Sequence, residues 1–109
     1  MSSEVHVVAF ITPAPGREAR VRELLKGLAD NVQKHETNAS KYQLFEEYDG
    51  KGGNIFVVEE IYKDKAAYDA HFKTEYFQKL GEILPKEGVL AAPLDIRTIK
   101  PIAGFASRL

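Results

Sequence analysis

Residues 54–62 read NIFVVEEIY, and through Val58 the side chains are apolar at both alternating positions. A strand that is apolar on both faces must be covered on both faces. The chain has 109 residues, enough for one domain whose core buries roughly two thirds of the unfolded surface. Its helical segments suffice for one covering layer. The other face of this strand needs a partner, and that requirement narrows the folds open to the chain.

The remaining segments complete the pattern. Residues 4–12, EVHVVAFIT, are rich in β-branched and aromatic side chains and read as a strand. Pro13, Ala14, Pro15 and Gly16 stop it with a turn. From Arg17 the apolar period becomes helical, with Val21, Leu24, Leu25, Leu28 and Val32 on one stripe, and the helix runs to about His35. Gly27 inside it costs about 1 kcal/mol relative to alanine, and close packing on the sheet is its expected reason. Residues 41–48 alternate, with Tyr42 and Leu44 on one side and Gln43 and Phe45 on the other. The run DGKGG at 49–53 is a hairpin turn into residues 54–62.

Residues 65–74 read as a short helix with Asp64 as its cap. A second helical segment carries Tyr76, Phe77, Leu80, Ile83 and Leu84 on its inner side, and Pro85 and Gly88 are expected to end it. Residues 94–100 form a last strand. The order strand, helix, strand, strand, helix pair, strand predicts an α+β domain. Its architecture is ferredoxin-like: a four-stranded antiparallel sheet with helices on one face. Two such sheets placed face to face cover each other, which predicts a symmetric homodimer. No repeat or internal boundary divides residues 1–109. The expected core is 4–100 and the expected tail 101–109.

Composition narrows the function. A net charge of −1 offers no basic stripe, so neither nucleic acid nor a membrane surface is an expected partner. Without cysteine there is no disulfide, thiolate ligand or cysteine nucleophile. No apolar run approaches ~20 residues, and MSSEVHVV lacks the pattern of a secretory signal. Three scattered histidines give no metal-ligand spacing. Glu46 with Glu47, and Glu59 with Glu60, point to opposite faces within each pair and form no carboxylate dyad. The last residues, Ser107, Arg108 and Leu109, resemble a C-terminal peroxisomal import address. In a eukaryote that implies a peroxisomal protein, and otherwise a cytoplasmic one.

One histidine is oddly placed. His71 follows Tyr68 by three residues and precedes Phe72, so a helix over 65–74 aims its imidazole at an apolar stripe. Such a histidine is either a core residue hydrogen-bonded to a neighbour or the rim of a cavity. His6 lies on the face of the first strand opposite Val5, Val7 and Ala9, toward either a pocket or a dimer seam. His35 ends a helix, where a cation complements the macrodipole.

The stretch FVVEEIYKDKAAYDAHFKTEYFQKL, the preceding SKYQLFEEYDGKGGNIF and the opening VVAFITPAPGREARVRELL resemble the antibiotic biosynthesis monooxygenase family over roughly residues 5 to 100. The resemblance implies ferredoxin-like chains pairing as dimeric α/β barrels. It also implies oxidation of phenolic or quinol-type substrates by molecular oxygen without metal or flavin. Relatives that isomerise a sugar-derived phosphate, degrade haem or have no known activity keep two alternatives open: an isomerase or haem-degrading relative, and a non-enzymatic dimeric small-molecule-binding or stress protein.

By the same resemblance, Glu60 matches a frequent glutamate at the end of the third strand. Tyr62 stands where tryptophan is usual, and Tyr68 where some members place a tyrosine beside the substrate. His71 matches the histidine of an alanine–histidine–aromatic triplet, and Tyr42 a tyrosine on the second strand. Phe45 replaces a residue that is often polar, which implies a greasier pocket.

Oxygenation without a cofactor requires the substrate to supply the electron, so it must first be deprotonated. His71 is the expected base, because imidazole titrates near neutral pH. Glu60 is the expected carboxylate to orient it. Tyr68 and Tyr62 are expected donors. Phe10, Phe56, Phe72 and Phe77 are expected to wall the substrate ring, in a chamber large enough for a small organic guest. Read alone, Glu60 also fits a solvated strand end, and Tyr42 and Tyr62 also fit packing residues with satisfied hydroxyls.

Overall fold

Period-two alternation along β3 (Phe56–Tyr62) fixes the layers. Phe56, Val58, Glu60 and Tyr62 are buried, whereas Val57, Glu59 and Ile61 turn the other way. A computed structural model describes residues 3–108. Its other elements are β1 (Val5–Ile11), α1 (Glu18–His35), β2 (Ala39–Glu46), α2 (Lys65–Phe72), α3 (Glu75–Glu87) and β4 (Asp95–Ile99). The strands form one antiparallel sheet in the order β2-β3-β1-β4. This is the ferredoxin-like α+β architecture that the sequence leads one to expect.

The helices cover the face carrying Val7, Ala9 and Ile11 of β1 and the buried side chains of β3. Val21, Leu25, Leu28 and Val32 of α1 and Leu80 and Leu84 of α3 complete the core. The other face presents Val8, Phe10, Val57 and Ile61, with Phe45 at 39% and Ile99 at 52% exposure. Lys41–Glu59 and Asp95–Arg97 ion pairs lie among them. His6 is on this face, with Glu4 3.6 Å from its imidazole.

Local chemistry sets the element ends. The Asp64 carboxylate accepts from the Ala67 N–H at 2.9 Å, as its cap position predicts. Helix α2 stops at Phe72 rather than Thr74, because Thr74 is the extended N-cap of α3. Its hydroxyl donates to the His71 carbonyl and accepts from the Phe77 N–H. Pro85 lies inside the last turn of α3, and the left-handed Gly88 ends the helix.

Gly27 differs from expectation: a Cβ there would meet nothing within 4 Å, so no close approach to the sheet requires it. A bulge between Ala39 and Lys41 lets Ala39 and Tyr42 share the inner face despite their odd separation. Beyond β4 the described residues have no regular structure, and Ile102 and Phe105 are exposed with the Arg108 guanidinium over the Phe105 ring. Leu109, the end of the candidate import address, lies outside the described residues.

Candidate active site

Three chain segments converge at one end of the helical layer. Helix α2, started by its Asp64 cap, carries His71 in its last turn and buries it to 3% exposure. Helix α1 ends at Glu36, whose backbone N–H still bonds to Val32 and whose carbonyl accepts from Ala39. Helix α3 places Tyr76 in its first turn.

The Glu36 carboxylate gathers these elements. His71 Nδ1 lies 2.9 Å from Oε1 and 3.0 Å from Oε2, and the Tyr76 hydroxyl donates to Oε2 at 2.6 Å. A carboxylate at Nδ1 holds the proton on that nitrogen and leaves Nε2 as the basic one. Nε2 has no hydrogen-bond partner among the described residues. The carboxylate paired with the imidazole is thus Glu36, not the expected Glu60. The apolar stripe of α1 pointed to it: Glu36 follows Val32 by four residues and so continues the inward-facing row.

Glu60 is 6% exposed and accepts from the Tyr62 hydroxyl at 2.6 Å. Residues two apart on a strand share a face, which brings this pair together. Burial raises the Glu60 pKa, while the Tyr62 hydrogen bond and nearby His71 oppose the shift. Burial also pushes up the phenols of Tyr42 and Tyr62, reinforced by the negative charge of Glu60. Tyr76 is pushed up to about 12 by burial and by its bond to Glu36. These tyrosines are hydrogen-bond donors at neutral pH, not phenolates.

Behind His71, between α-helices and sheet, lies a cavity of about 30 Å³. His71, Glu60, Tyr42, Phe72 and Phe77 line it, and aliphatic side chains such as Leu28 and Ile96 complete the wall. A space of this size admits one or two waters or a diatomic gas. It is far smaller than the expected chamber, because rings fill it: Phe77 lies 4.9 Å and Phe72 5.5 Å from the imidazole, centroid to centroid. On the other side of the Glu36–His71 pair is an open cleft of about 540 Å³. It is lined by Glu36, Tyr76, Tyr62, Thr74, Asn38 and His35 among others, and His35 stacks on Tyr76.

Not every expected residue reaches the cavity. Tyr62 touches the imidazole ring at 5.5 Å and faces the open cleft. Tyr68 packs against Tyr62 and Phe72 outside the cavity wall. Phe10 is not part of the site: it occupies the face of β1 shared with His6 and Val8, away from the helices, with the Arg97 guanidinium over its ring. Phe56 is on the inner face, but it is fully buried two pleats from Glu60 and beneath Arg22, as core. Phe45 pairs with Val57 on the outer face and so does not make the pocket greasier. Among the described residues no group of three histidine, aspartate or glutamate side chains could hold a metal ion.

Comparison with known proteins agrees with this architecture. The family model described as antibiotic biosynthesis monooxygenase matches residues 4–82. The Bacillus subtilis (strain 168) protein named "Putative monooxygenase YcnE" is 33% identical over 88 residues, covering 81% of this chain and 87% of its own. The crystal structure of PA3566 from Pseudomonas aeruginosa superposes with a TM-score of 0.80 at 25% identity, covering 94% of this chain and 98% of that one. Rv0793 from Mycobacterium tuberculosis gives 0.80 at 24% identity, covering 95% and 100%, and shares the fold.

Proposed function

Because the chain belongs to the antibiotic biosynthesis monooxygenase family, we propose that it is a monooxygenase that oxidises a small phenolic or quinol-like substrate with molecular oxygen and no metal or flavin. The observation that carries this reading is the pairing of His71 Nδ1 with Glu36, which leaves the second imidazole nitrogen as a base beside an apolar cavity.

In this reading His71 takes the proton from an activated C–H or O–H of the substrate, and Glu36 balances the imidazolium. The resulting anion donates one electron to dioxygen, and the two radicals join in a C–O bond. At a ring CH₂ the imidazolium returns its proton to the peroxide anion, and the hydroperoxide so formed loses its remaining C–H proton to His71. The O–O bond breaks with hydroxide leaving, and that hydroxide takes the proton from His71, so a carbonyl and water remain. Each turnover consumes one dioxygen and places one of its atoms in the product and one in water. The tyrosine nearest in kind to an oxyanion donor is Tyr42, which lines the cavity and has no hydrogen-bond partner for its hydroxyl among the described residues. Glu36 and Tyr76 also line the open cleft, so the carboxylate paired with His71 has an edge toward solvent.

The outer sheet face supports a second element of the proposal, a homodimer. Phe45, Ile99, Val57, Ile61 and Val8 form an apolar surface that also carries Gln43, His6 and the Lys41–Glu59 and Asp95–Arg97 pairs, a mixed composition that suits a face meeting a second copy. The reaction is tested by supplying hydroquinones and anthrone-like substrates under ¹⁸O₂. One labelled atom per product is expected, and an unlabelled product would overturn the oxygenase reading.

A further inference from the structure

The cavity beside His71 is smaller than any aromatic substrate, and one ring takes up the difference. Phe77 is the nearest ring to the imidazole, at 4.9 Å, against 5.5 Å for Phe72 and Tyr62 and 5.8 Å for Tyr42. It meets Phe72 edge to face, at 5.1 Å and 88°. A closed apolar site that accepts benzene has a volume of roughly 150 Å³, whereas this cavity has about 30 Å³.

A substrate whose acidic proton is to reach His71 must bring its ring to where Phe77 now lies. Phe77 is placed to give way. It is half-buried, in the first turn of α3, three residues past the break at Thr74, and it packs against the buried core without being one of its fully buried members. The buried aliphatic wall behind it, including Leu25, Leu28 and Leu80, belongs to the core and stays.

We propose that Phe77 is the specificity-determining residue of this site: its ring holds the place of the substrate's ring and swings out to admit it. The site therefore selects a substrate that presents one planar aromatic ring to His71, free or at the end of a fused system, and that ring inherits the edge contact of Phe72 and the tilted face of His71. This inference rests on the oxygenase reading for its substrate, but binding alone can test it.

The test is anaerobic calorimetric titration of phenol into wild type, Phe77→Ala and Phe77→Trp, with the thermal midpoint followed in parallel. Phe77→Ala is expected to bind phenol at least tenfold more tightly than wild type and to gain several degrees in midpoint on adding it. Phe77→Trp is expected to bind at least tenfold more weakly. Equal affinities across the three proteins would overturn the assignment. Should circular dichroism show that Phe77→Ala does not fold, Phe77→Leu is read by the same two outcomes. Because oxygen is absent, the two readings separate. Tighter phenol binding by the variant, with no oxygen uptake by wild type, keeps the Phe77 assignment and sinks the oxygenase. Oxygen uptake with unchanged phenol affinity does the reverse.

Discussion

His71 Nδ1 faces both carboxylate oxygens of Glu36, at 2.9 and 3.0 Å, across a separation of 35 residues. The pair joins the end of α1 to the end of α2, and the Tyr76 hydroxyl extends it to α3. It therefore has two consequences, one for chemistry and one for packing, and they can be measured apart.

Glu36→Gln keeps a hydrogen-bond acceptor but removes the charge that balances an imidazolium. Turnover is expected to fall by roughly 10²-fold, while folding loses only about 1 kcal/mol. Steady-state oxygen consumption and urea denaturation on the same preparation check the split. A large stability loss with unchanged turnover would assign the pair to structure alone.

Glu60 gives a pH signature. Its folded pKa is raised by burial, so the stability tied to its protonation is complete below a glutamate's ordinary 4.5 and is lost as pH rises through the folded value. Glu60→Gln stays neutral and keeps an acceptor for Tyr62. Relative to this variant, wild type should lose stability as pH rises above a glutamate's ordinary 4.5 and on through the raised folded value. Parallel unfolding midpoints across that range are the measurement, and a constant difference would contradict it.

Two substitutions report on the helices that hold the site. A methyl group at Gly27 meets open space, so Gly27→Ala should stabilise the fold by about 0.5–1 kcal/mol. Asp64→Ala removes the cap that starts α2 and should destabilise it by about 1 kcal/mol. Denaturant midpoints at constant m-value measure both.

On the outer sheet face, Phe45 and Ile99 are the exposed anchors. A double change to lysine, Phe45→Lys with Ile99→Lys, should convert the proposed dimer to a folded monomer, because it buries two unpaired charges in any face-to-face contact. Sedimentation equilibrium checks this, and a wild type that is monomeric at high concentration would remove the dimer from the account.

The layers and the position of His71 were legible because they follow from periods of 2 and 3.6 residues. The same periodicity excludes Phe10, which shares a strand face with His6 and Val8, so its placement in the pocket ignored a signal that was present. Glu36 was also within reach, four residues beyond Val32 on a stripe already traced. The cavity's size was not legible. It depends on how Phe72 and Phe77 interlock after the break at Thr74, and ring packing of that kind is set by three-dimensional contacts, not by spacing along the chain.

The most direct test is oxygen uptake by wild type and His71→Ala with one hydroquinone or anthrone-like substrate, each protein first shown to be folded and of equal oligomeric state. The account predicts a fall in turnover of roughly 10²–10⁴-fold in the variant. Undiminished uptake by His71→Ala would contradict it, because no other imidazole lines the cavity.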